Sequence, residues 1–160
     1  KCNYYLTSRE WPYKNLEPRI FAEEYVTDGE SGKAGQLTDY KFFCFDGIPK
    51  MMFVATDRAN ENTETKFDFF DMEYNHLPFI QGHPNAESTP SKPINFEKMK
   101  ELAKELSKGL PHVRVDFYEV NGRVYVGELT LYHFSGLVPF EPSKWDKTIG
   151  DWIILPKKEG

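Results

Sequence analysis

The chain is poor in the features that mark several protein classes. It has two cysteines, Cys2 and Cys44, with no CxxC pair, which allows at most one disulfide and suggests a reduced, cytosolic protein. No stretch approaches the roughly 20 apolar residues that a membrane span needs, and no N-terminal signal segment is visible. Positive charge is in deficit: 20 Lys and Arg stand against 25 Asp and Glu, for a net charge of −5. A nucleic-acid binder would usually carry a basic face, so that class is excluded. There is no internal repeat and no low-complexity tract. Phosphate-loop spacing is missing too, because Gly29-Glu30-Ser31-Gly32-Lys33 is too short and runs into Ala34. His76, His83, His112 and His133 are scattered, with no HxH or HExxH spacing, which argues against zinc. No serine sits in a GxSxG context. The chain opens on Lys1 rather than Met, and its 160 residues read as one domain that is a piece of a longer protein.

What is present is aromatic, with 13 Phe, 9 Tyr and 3 Trp, and rich in strand signals. Residues 1–18 read as irregular or partly helical. Arg19 to Val26 reads as a short strand, and residues 27–38 as a Gly-rich loop. Asp39–Phe45 and Lys50–Thr56 flank Asp46-Gly47-Ile48-Pro49, a hairpin signal. Lys66–Met72 is a strand or a short turn element, and 73–94 a long loop. Phe96, Met99, Leu102, Ala103 and Leu106 recur at helical spacing behind a cap at Asn95, and Gly109 ends the helix. His112–Val120 and Arg123–Leu131 form a last hairpin about Asn121-Gly122. The tail from 132 packs over the sheet as loops and a short element. The fold class is α+β, a mainly antiparallel sheet with a flanking helix. Cys44, set among Phe42, Phe43 and Phe45, reads as an inert, half-buried thiol. His133 reads as an ordinary loop histidine.

The apolar pattern constrains the register of the last hairpin, since a one-residue slip sends a strand's side chains to the other face. A two-residue turn puts Asp116 opposite Gly127 and mixes apolar with charged residues. A three-residue loop, Val120-Asn121-Gly122, pairs Arg114 with Glu128 and separates the faces. Val113, Val115, Phe117, Tyr125, Leu129 and Leu131 then share one face; Arg114, Asp116, Tyr118, Glu128 and Thr130 share the other. The three-residue loop is the preferred solution. Two carboxylates on neighbouring strands suit a hard cation such as Mg²⁺, and Arg114 suits a phosphate. The same residues read equally well as a solvated polar face with an ordinary Arg114–Glu128 surface pair.

Four blocks carry a family resemblance: REWPYKNLEPRIFAEEYV at 9–26, LTDYKFFCFDG at 37–47, ATDR at 55–58 and RVDFYEVNGRVYVGELTLYHFSG at 114–136. Together the chain resembles the C-terminal part of the TupA-like ATP-grasp proteins of bacterial teichuronopeptide and surface-polysaccharide synthesis. The resemblance implies ATP and Mg²⁺ as cofactors and a ligase that forms an acyl phosphate on an unidentified carboxylate substrate, with an amine or similar nucleophile attacking next. It implies metal ligation by Asp116 and Glu128, with Thr130 where relatives carry Asn, and a phosphate-steadying role for Arg114. Lys41 and Arg58 become phosphate or substrate contacts. Glu23, Glu24, Tyr25 and Val26 match the hinge strand that receives adenine, and Glu30 a ribose-binding position. The expected layout is a single partial ATP-grasp domain: a lead-in at 1–18, hinge strand and sheet at 19–72, a loop at 73–94, then helix, metal-site hairpin and tail at 95–160. Its glycine-rich loop and lysine, and a preceding substrate domain, would lie in an upstream region of the same protein, leaving the isolated chain inactive. Two further readings stand beside it: a non-catalytic nucleotide-binding or interaction module, and a glycosyltransferase-associated domain.

Overall fold

The hairpin signals become two tight turns. In the computed structural model, Asp46 and Gly47 both take positive φ (49° and 75°), as do Asn121 and Gly122 (51° and 73°). Left-handed pairs of this kind match the twist of the strands they join. The first turn connects β1 (Asp39–Phe45) to β2 (Ile48–Thr56). β2 therefore starts two residues earlier than expected, with a bulge between Phe43 and Cys44 taking up the difference. The second turn joins β4 (His112–Val120) to β5 (Arg123–Thr130). β3 (Lys66–Asp71) resolves the ambiguous third run as a strand. The structure describes residues 4–7, 9–24, 26–27, 37–57 and 63–157.

All pairings are antiparallel, and the five strands run in the order β3-β2-β1-β4-β5. The central β1 is buried on both faces, which explains why its FFCF run is continuous rather than alternating. One face packs Phe42, Cys44, Val54, Val113 and Phe117 against Phe96, Met99 and Ala103 of helix α2 (Phe96–Leu106). Leu106 turns outward instead. The other face packs Phe43, Phe53 and Phe69 under Phe79, Phe140 and Ile149, supplied by the 73–94 loop and the tail. Among the described residues two further α-helices are short, α1 (Tyr4–Thr7) and α3 (Lys144–Gly150). Cys44 is fully rather than half buried, and burial pushes its thiol up to about 11. It is an inert core group.

Three expectations need correcting. Residues 19–24 form no strand and lie exposed, with Ile20 and Phe21 in solvent. Paired Glu23 and Glu24 interrupt the apolar run, and a strand without a neighbour is not stable by itself. Asn95 precedes α2 but makes no side-chain cap. Its amide donates instead to Glu119 (2.5 Å) and to the carbonyl of Gly122 (3.0 Å), while Glu119 also accepts the Ile94 and Asn95 backbone N–H groups. The third correction is the β4–β5 register. The turn is two-residue, with Val120 opposite Arg123 and Tyr118 opposite Tyr125. A bulge past Phe117 then shifts the pairing, so the two turn solutions are reconciled along a single hairpin. Tyr125 consequently shares a face with Tyr118, not with Phe117.

Candidate functional site

The bulge decides which side chains meet. Beyond it, Asp116 lies directly opposite Glu128 and Arg114 opposite Thr130. The expected Arg114–Glu128 pairing is thus one step off, yet all four residues do share a face. Gly127 makes the bulge possible, since a Cβ there would come within 2.8 Å of the Tyr118 ring. On the other side of β4, Lys41 of β1 pairs with Asp116. Strand alternation places Asp39 beside Lys41 on the same face.

These residues form one connected ion cluster. Arg114 grips Asp116 through two parallel bonds, Nε to Oδ1 and Nη2 to Oδ2, both 2.7 Å. The Lys41 ammonium donates to Asp116 Oδ2 at 2.5 Å and lies 3.2 Å from Asp39. Glu128 reaches the Arg114 guanidinium at 3.4 Å from an exposed position. Asp39, Lys41, Arg114 and Asp116 are all buried. Burial pulls the Lys41 ammonium below the usual lysine range, and the Asp116 carboxylate partly restores it. Three carboxylates against two cations leave an excess of negative charge on this face.

The third nitrogen of Arg114 is taken by a residue that sequence reasoning set aside. Nη1 donates to His133 Nδ1 at 2.7 Å, and His133 Nε2 lies 3.1 Å from Gln81 Oε1. A guanidinium only donates, so Nδ1 must accept and Nε2 must carry the proton toward Gln81. Gln81 in turn donates to the Val138 carbonyl. Burial, reinforced by Arg114, brings the His133 imidazole down to about 3, so the ring is neutral. His133 and Gln81 were not legible as site residues, because only the tail folding back over the sheet brings them to Arg114. Asp39 was legible in principle, from its i,i+2 spacing to Lys41.

The remaining expected site residues stand apart. Glu23 and Glu24 are exposed outside the sheet and Val26 is half-buried. Tyr25, Glu30 and Arg58 lie outside the described residues. Among the described residues no group of three or more His, Cys, Asp or Glu is arranged to hold a metal ion by itself. The oxygen donors nevertheless fit a hard cation shared with phosphate. Asp116 and Glu128 face each other, and the Thr130 hydroxyl beside them is buried without a hydrogen-bond partner among the described residues. Asp116 has lone pairs to spare even with both oxygens already bonded.

The family model for TupA-like ATPgrasp proteins matches residues 1–154, and the chain belongs to that family. It is accordingly an ATP-grasp, ligase-like domain of the nucleotide-binding kind. No curated protein and no solved structure matches the chain. No helix among the described residues is long and apolar enough to cross a membrane.

Proposed function

We propose that the chain is the nucleotide-binding part of an ATP- and Mg²⁺-dependent ligase in cell-surface polysaccharide or peptidyl-polymer synthesis, which phosphorylates a substrate carboxylate that an amine then attacks. The observation that carries this reading is the direct opposition of Asp116 and Glu128, with Arg114 and Lys41 bonded to the same carboxylate. Asp116 and Glu128 would hold Mg²⁺, with Thr130 supplying the third oxygen. When bound, the metal offsets charge on the phosphate oxygens.

The chain's own residues do the positioning. Asp116 and His133 fix the plane of the Arg114 guanidinium, which presents its charge to the transferred phosphate. Lys41 adds a second cation from the neighbouring strand. Because both are buried, little solvent reorganisation is needed when phosphate charge moves. No side chain need act as a nucleophile, since aligning the two reactants supplies much of the rate in phosphoryl transfer. The backbone at Glu23, Glu24, Tyr25 and Val26 would receive adenine, Glu30 the ribose, and Arg58 phosphate or substrate.

The test gives the full-length protein a panel of carboxylic acids with MgATP and hydroxylamine as the nucleophile. The ligase reading expects ADP and hydroxamate in equal amounts with at least one acid. One observation favours a second reading: both Asp116 oxygens are already bonded to Arg114 and Lys41, as in a purely structural ion cluster. A non-catalytic module predicts ATP binding with no ADP release across the panel.

A further inference from the structure

The site face of the sheet is not closed along its whole length. Beside Arg114 lies a cavity of about 910 Å³, a size that suits a small molecule. Phe43 and Phe45 of β1 line it, together with Leu131, Phe140, Ile149 and Ile153. It adjoins the ion cluster through His133, which lines the cavity and accepts the Arg114 bond.

Five polar side chains line this apolar space: Gln81, His112, Tyr132, His133 and, from an exposed position, Asp146. Gln81 and His133 bond to each other. His112 donates its Nδ1–H to the Cys44 carbonyl at 3.0 Å, and its ring lies against Phe43 and Phe45. Burial lowers its pKa, so the ring is neutral and Nε2 is a lone-pair acceptor with no partner among the described residues. Asp146 spends one oxygen on the Phe140 N–H (2.9 Å), and its second oxygen has no partner among the described residues. Gln81 keeps a second amide N–H and Tyr132 its hydroxyl, but the other unspent groups are acceptors, and the one charge among these lining residues is the Asp146 carboxylate. A carboxylate ligand would meet a lone pair and a negative charge; an ammonium or amine would meet complementary groups.

We propose that this cavity binds the amine substrate, a primary amine on an apolar body, with the nitrogen held by His112 and Asp146. The name "substrate" rests on the ligase reading; the binding itself does not. The experiment titrates two probes of equal shape, 4-phenylbutylamine and 4-phenylbutyrate, against the chain without nucleotide. The amine is expected to bind at least tenfold more tightly than the acid. Gly150 lines the cavity, and a Cβ there would meet nothing within 4 Å, so Gly150→Phe should fill the space and abolish amine binding while leaving MgATP affinity unchanged. Asp146→Asn should weaken the amine about tenfold and narrow the gap to the acid. Equal binding of the two probes, no binding of either, or amine binding that survives both substitutions would overturn the proposal. Because nucleotide is absent, such a failure leaves the ligase reading standing. Loss of ATP binding with the amine preference intact would fail the ligase reading alone.

Discussion

Arg114 and Asp116 stand two residues apart on one strand, and the guanidinium lies back along that strand to hold the carboxylate with two bonds of 2.7 Å each. Same-face neighbours on a strand are well placed for this, and the bidentate geometry is stronger than a single contact. With Lys41 on the same carboxylate, Asp116 is the electrostatic centre of the site face.

Removing that centre should be costly. Asp116→Asn leaves two buried cations without their shared counter-charge, which typically costs about 3–5 kcal/mol. Denaturant unfolding should show it. Adding Lys41→Met to Asp116→Asn should recover part of the loss, because one stranded cation is then gone. Additive losses would mean that the two residues are not coupled.

His133 predicts an acid-side stability slope. Its folded pKa is about 3, against an ordinary value of 6.5, so the native state prefers the neutral ring. The stabilisation is full above pH 6.5 and is lost as pH falls through the window from 6.5 toward 3, by up to about 1.4 kcal/mol per pH unit. Arg114, His112 and Lys41 face the ring and act in the same direction. Thermal unfolding between pH 7 and pH 4.5 should fall more steeply in the wild type than in His133→Asn. Parallel slopes would contradict the neutral tautomer.

The bulge can be tested at Gly127. A Cβ there meets the Tyr118 ring at 2.8 Å, and relieving such overpacking costs about 1–3 kcal/mol. Gly127→Ala should destabilise the wild type by that amount and have little effect in a Tyr118→Ala background. An equal loss in both backgrounds would place the strain elsewhere.

Glu119 should matter to a helix on which it does not lie. It accepts the Ile94 and Asn95 N–H groups and the Asn95 amide just ahead of α2. Glu119→Ala should cost about 1–2 kcal/mol, in the range of a lost cap, measured by chemical denaturation. A neutral result would mean that water replaces the carboxylate there.

The sheet was largely legible because β1, β2, β4 and β5 declare themselves through turn dipeptides and aromatic runs. The shared face of Arg114, Asp116, Glu128 and Thr130 was legible from the demand that apolar and polar sets separate, although the three-residue loop inferred from that demand is not the turn that forms. The exact pairing was not, because a bulge at Gly127 lets a two-residue turn coexist with separated faces, and no periodicity argument counts an inserted residue. The strand expected at 19–26 failed for a related reason: local β propensity cannot supply a neighbouring strand. His133 and Gln81 escaped because their roles depend on the tail folding over the sheet, a contact between segments 52 residues apart.

The central claim is that Asp116 and Glu128 together hold metal-bound nucleotide. Calorimetric titration of ATP, with and without Mg²⁺, against the wild type and Glu128→Gln tests it most directly. Glu128 is exposed and its contact with Arg114 is long, so its loss should leave the fold intact. The account predicts Mg²⁺-dependent ATP binding in the wild type, weakened at least tenfold by Glu128→Gln, with the residual metal-free affinity unchanged. Metal-dependent binding that survives the substitution undiminished would contradict it.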